Sequence, residues 1–97
     1  MNADIQAQSE NALRLVTELR GVLLAHGEHN WIRGLSHVGA LLQDNELASA
    51  ASSYKAMVTG NGSFSDFYIH ADDVDARRRL NEPLDRLRDQ LWVALGL

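Results

Sequence analysis

Ser63, Asp66 and His70 are the residue types of a nucleophile, an orienting acid and a base, and they fall close together in the chain. Nucleophilic catalysis needs the hydroxyl within reach of the imidazole, and the imidazole held by a third group. Sequence proximity supplies none of that geometry. The paired acids Asp72 and Asp73 are adjacent, so their side chains diverge unless a loop turns them together. The four histidines are dispersed: His26 and His29 flank Gly27, while His37 and His70 stand alone. No Glu-x-x-His pattern and no cysteine accompanies them, so no metal site is expected. Gly60-Asn61-Gly62-Ser63 looks like part of a phosphate cradle, but no Lys follows it and Asp66 would repel a phosphate. The expectation is a protein that is not an enzyme, with no catalytic residue and no cofactor.

Charge carries more information. Between Lys55 and Arg77 the chain has no Lys or Arg, while Asp66, Asp72, Asp73 and Asp75 all fall there. Phe64, Phe67 and Tyr68 are interleaved with them. Acidic and aromatic groups on an anchored loop suit a basic protein partner. Phe64, Asp66, Tyr68, Asp72, Asp73 and Asp75 are therefore the candidate partner-binding residues. The competing reading is that the same aspartates cap helices, where carboxylates meet the positive end of the macrodipole. Net charge is −4, which disfavours nucleic acid. The only basic cluster, Arg77 to Arg79 with Arg86 and Arg88, lies among Asp75, Glu82, Asp85 and Asp89 and reads as a solvated, salt-bridged helix face.

These groups sit on or beside one nine-residue connection, Thr59 to Phe67, and helical patterns flank it on both sides. Gly60 and Gly62 suit a backbone that takes positive φ, and Ser63, Ser65 and Asp66 can each accept a bond from a nearby N–H. Gly60, Gly62 and Ser63 are thus assigned to loop structure, with Phe64 and Phe67 pinning the loop onto the helices. Upstream, Leu13, Val16, Leu19 and Leu23 step at the helix period, with Ser9 and Asn11 as a start, the first eight residues fraying and Gly27 as the stop. Gly21 inside that helix suggests a close approach by a neighbouring helix. Asn30 is the expected cap of a second helix with its face at Trp31, Leu35, Val38, Leu41 and Leu42. Gly34 and Gly39 leave room there for a neighbour. Asn45 is the expected cap of a third, Glu46 to Val58, striped by Leu47, Ala50, Ala51, Tyr54, Met57 and Val58.

Downstream, the segment Phe67 to His70 is either extended or a first helical turn. Leu80, Leu84, Leu87, Leu91 and Leu95 then mark the last helix. Pro83 is tolerated best in a first turn, so the pattern favours a helix from Glu82 to Leu95 capped by Asn81. A short helical turn capped at Asp72 or Asp73 would precede it. One kinked helix is the alternative.

The chain has 97 residues, 45% hydrophobic and 23% charged, which is one globular domain spanning 1–97. No apolar run approaches the roughly 20 residues of a membrane span, and the N-terminus lacks a secretory pattern. Together these read as a cytoplasmic protein. The expected fold is all-α: a small four-helix bundle with a structured Gly-rich loop before the last helix.

Three stretches carry a resemblance. Trp31 opening an early helix, Gly60-Asn61-Gly62-Ser63-Phe64-Ser65-Asp66, and Leu84-Asp85-Arg86-Leu87-Arg88 in the last helix resemble a family of small uncharacterised bacterial proteins. That family shows a G-x-G-S-[FL]-x-D loop and an L-D-x-L-R helix in this order. Asn61 stands where the family often has Met. Small, acidic, Cys-free helical proteins of this kind also resemble immunity proteins. The likeness implies a partner-binding role against a basic secreted toxin domain. The alternative is a helical interaction or regulatory module, homodimeric or otherwise, without a toxin. A small ligand-binding or enzymatic bundle is a third reading.

Overall fold

In the computed structural model, residues 2–97 are described, with side chains from Asp4 onward. Four helices form the chain: α1 (Asn2–Ala25), α2 (Ile32–Gln43), α3 (Leu47–Val58) and α4 (Val74–Ala94). A single 3-10 turn (Phe64–Asp66) interrupts the long connection between α3 and α4, and no strand occurs among the described residues. The all-α bundle is thus as the periodicities require. α1 packs on α2 and α4, and α2 packs on α3, while α3 and α4 touch only sparingly. The 3-10 turn closes against α3 at that thin seam. No helix among the described residues is long and apolar enough to cross a membrane.

The helix stripes meet in one core. Ala12, Leu15, Val16, Leu19 and Leu23 of α1 are buried with Leu35, Val38 and Leu42 of α2. Ala50 and Tyr54 of α3, then Leu84, Leu87 and Leu91 of α4, complete it, with Phe64 and Ile69 from the connecting segment. Each fully buried large side chain contributes about 1.5–3 kcal/mol, so these positions outweigh local propensities.

Three helix ends share one stop. Gly27, Asn45 and Gly96 all take positive φ, at 70°, 57° and 77°. At each, the next residue's N–H bonds five residues back: Glu28 to Leu23, Glu46 to Leu41, Leu97 to Trp92. That is the Schellman arrangement, which satisfies orphan carbonyls. Asn45 therefore ends α2 and does not cap α3, whose N-cap Glu46 makes no side-chain cap bond.

Other expected caps also shift. α1 begins at Asn2 and not near Ser9, which is buried inside the helix with no partner for its hydroxyl. Trp31, not Asn30, occupies the N-cap of α2, again without a side-chain cap bond. α4 runs through Pro83 without a break and starts at Asp73, whose carboxylate accepts the Ala76 N–H at 2.8 Å. An internal proline costs about 3 kcal/mol. The stripe from Leu80 to Leu91 crosses it in phase, so ending the helix there would forfeit more burial than the proline costs.

The glycines divide by what surrounds them. At Gly34 an added Cβ would lie 2.9 Å from the Met57 sulfur, so α2 and α3 approach closely there. Gly39 faces Val16 and Leu13 at 3.5 and 3.6 Å, ordinary contact distances. Gly21 has nothing within 4 Å, which removes the close helix approach expected at that position. Gly21→Ala should therefore raise stability by about 0.5–1 kcal/mol, the helix-propensity gain. Gly34→Ala should gain less, because the Met57 thioether must swing aside. Urea midpoints of the two variants compared with the parent check the difference.

Candidate functional site

The segment from Thr59 to Asp73 is built on turns and then locked from below by α4. Gly60 and Gly62 have φ of 96° and 73°, and the Ser63 N–H returns to the Gly60 carbonyl. Gly62 thus stands third in a β-turn, where positive φ favours glycine. The Asp66 carboxylate accepts the Gly62 N–H at 2.8 Å, so one of the proposed recognition acids also braces the turn. Ser63 does not cap; its hydroxyl pairs with that of Ser65 at 2.8 Å.

Phe64 is 0% exposed. Its ring lies 5.2 Å from Trp31 and 6.3 Å from Phe67, centroid to centroid. Trp31 and Phe67 are themselves 6.5 Å apart, so three aromatic residues form one cluster at the entrance to α2. The expected pinning of the loop by the two phenylalanines is present. Phe64 is accordingly a core residue, beneath the surface that a partner could touch.

Two buried polar side chains of α4 hold the segment. Arg88, 9% exposed, donates from Nη1 to the carbonyls of Phe64 and Phe67, the latter at 2.8 Å. Its Nη2 meets Asp85 at 2.6 Å, and its guanidinium stands 5.3 Å from the centre of the Phe64 ring. Two turns earlier, Asn81 accepts the Ile69 N–H at 2.7 Å and donates to the Ile69 carbonyl at 2.8 Å. It also donates to the Arg77 carbonyl, which leaves no role for it as a helix cap. Tyr54 completes the clamp from α3, its hydroxyl donating to the Arg88 carbonyl at 3.1 Å. Burial pushes the Tyr54 phenol above its ordinary pKa of 10.0, with Arg88 opposing and Asp89 adding to the shift.

Above the clamp, Phe67 to His70 is not a helical turn, and Phe67 itself is extended, at φ −71° and ψ 138°. Tyr68 is 55% exposed and Val74 56%. Asp66, Asp72, Asp73 and Asp75 are exposed beside them. Asp72 lies 3.2 Å from His70, and Asp73 caps α4. Among the described residues, no Lys or Arg nitrogen comes within 4.0 Å of Asp66, Asp72, Asp73 or Asp75. Arg86 pairs with Glu82 and Arg88 with Asp85, whereas Arg77, Arg78 and Arg79 have no carboxylate within that distance among the described residues. The basic face is salt-bridged only in its second half.

Ser63, Asp66 and His70 each bond to a different group and are not assembled into a triad. No group of three or more potential metal ligands occurs among the described residues. The sequence reading missed Arg88 and Asn81, taking one for a surface charge and the other for a cap. Their signal is positional: Asn81, Leu84, Arg88 and Leu91 follow the helix period, so both polar residues occupy an apolar stripe.

Two expectations follow from the clamp. Arg88→Met keeps the stem but leaves two loop carbonyls without donors, and should cost about 3 kcal/mol in denaturant stability. Arg86→Met, on the exposed face, should change stability by less than about 0.5 kcal/mol. The second concerns pH. Below pH 10 the Tyr54 phenol keeps its proton in both folded and unfolded chains, so its ionisation contributes nothing. Above that, the unfolded chain releases the proton first, so stability should fall as pH rises further. Urea midpoints at about pH 9 and 11 should fall more steeply in the parent than in Tyr54→Phe.

No protein-family model matches this chain, and neither does any curated protein or any solved structure.

Proposed function

We propose that this protein binds a basic protein partner through the exposed surface from Asp66 to Asp75, and that it is an immunity protein neutralising a cognate secreted bacterial toxin. The observation that carries the binding role is the combination of Tyr68 and Val74, both more than half exposed, with carboxylates that have no Lys or Arg nitrogen within 4.0 Å among the described residues. A segment held by Arg88 and Asn81 is already ordered, so less conformational entropy is lost when a partner docks. The toxin as partner rests on the resemblance to small, acidic, Cys-free immunity proteins. A helical interaction module without a toxin would use the same face.

The geometry ranks the residues. Tyr68 is the aromatic anchor, replacing Phe64, whose ring is committed to the core. Asp66, Asp72 and Asp73 are exposed while each also meets a local partner, Gly62 N–H, His70 and Ala76 N–H respectively. Asp75 precedes Arg78 and Arg79 by three and four positions on α4, so those cations weaken its field.

A partner recovered by pull-down from the native host is the starting point, followed by association kinetics at two salt concentrations. Asp72→Asn with Asp73→Asn should slow association about tenfold at low salt and flatten its salt dependence. Asp75→Asn should do less than either. Tyr68→Ala should raise the off-rate, as the loss of a contact anchor does. Variants that all bind like the parent would place the interface on another face, and failure to recover a basic protein would remove the toxin reading.

A further inference from the structure

Beside the loop, an open cleft of about 510 Å³ runs along the thin seam between α3 and α4. Tyr54, Val58, Ser65, Asp85, Asp89 and Trp92 line it, with Arg88 at its base. Ser65 adjoins Asp66, so the cleft opens next to the acidic surface. We propose that this cleft receives a guanidinium group, the side chain of an arginine on the basic partner inferred above.

The charge balance inside the cleft favours a cation. Arg88 is the one positive group there, and its guanidinium is already committed to Asp85 and to the Phe64 and Phe67 carbonyls. Asp89 has no Lys or Arg nitrogen within 4.0 Å among the described residues. It stands one turn from Asp85 on the same face of α4, but whereas Arg88 pairs Asp85, Asp89 lacks such a partner among the described residues. A cation entering between Asp89 and the ring of Trp92 would supply that partner.

Shape points to guanidinium in particular. Trp92 is half-buried and three residues from Asp89, so an indole surface and a carboxylate border the same space. A planar, weakly hydrated guanidinium can stack on an aromatic face while its edge donates to a carboxylate; a compact ammonium cannot do both. Val58 offers an apolar wall for the methylene stem.

The inference rests on the basic-partner reading for its biological occupant, but its test needs no partner. Nα-acetyl-arginine amide is titrated into the isotopically labelled protein and followed by amide and indole resonances. Its uncharged urea counterpart, Nα-acetyl-citrulline amide, is the control. The expected result is saturable movement of the Ser65 and Asp89 amides and the Trp92 indole N–H with the arginine probe only. Asp89→Asn, a change at an exposed position, should weaken that binding by about threefold or more. No saturable movement, equal movement with the citrulline probe, equal binding by Asp89→Asn, or movement centred on Asp72 to Asp75 would each overturn the proposal. A toxin never recovered would leave these titrations unaffected.

Discussion

A guanidinium buried beneath a loop is the constraint on which this molecule turns. Removing Arg88 from water is costly, and the cost is offset only because three oxygens and an aromatic face are waiting for it. Those oxygens include the carbonyls of Phe64 and Phe67, which burial would otherwise leave without donors. Neither side of the arrangement is stable without the other. The loop cannot lift off without exposing a paired cation and three apolar rings, and α4 cannot rotate without breaking the same bonds.

The coupling reaches three of the four helices. Trp31 brings in the start of α2, Tyr54 brings in α3 through the Arg88 carbonyl, and Asn81 extends the grip two turns along α4. Because α3 and α4 touch so sparingly, the loop fills what would be the bundle's fourth helix interface. A long irregular connection normally sits on the surface as a mobile excursion. Here its underside is core and its upper side is free to carry charge. Trp31, the Gly60–Asp66 loop and the Leu84–Arg88 stretch therefore meet at one place in space.

The helices were legible in the sequence because burial repeats with the helix period, and Leu35, Val38, Ala50, Tyr54, Leu84 and Leu91 all lie where that period puts them. The loop's glycines were legible for an equally local reason, the steric preference for positive φ. Caps were not. Asn30, Asn45 and Asn81 all have side chains that cap helices, yet none does so, because Asn45 is needed for a left-handed stop and Asn81 for Ile69. Pro83 misled for the same reason: a local preference for first turns lost to a stripe of leucines that crosses it. At the candidate site, the charge gap from Lys55 to Arg77 marked the exposed acids, whereas the burial of Phe64 depends on Arg88, 24 residues away. No local pattern reports a contact at that separation.

The two bonds between Asn81 and Ile69 have a further consequence. Phe67-Tyr68-Ile69-His70 is non-helical, aromatic and β-branched, the composition of segments that stack into intermolecular sheets. An isolated extended segment offers its backbone to any similar strand that passes. The carboxamide of Asn81 occupies both hydrogen-bonding groups of Ile69 in the manner of a neighbouring strand one residue long. A single side chain thus occupies the backbone groups of Ile69 that a passing strand would otherwise bond, while Tyr68 beside it stays exposed.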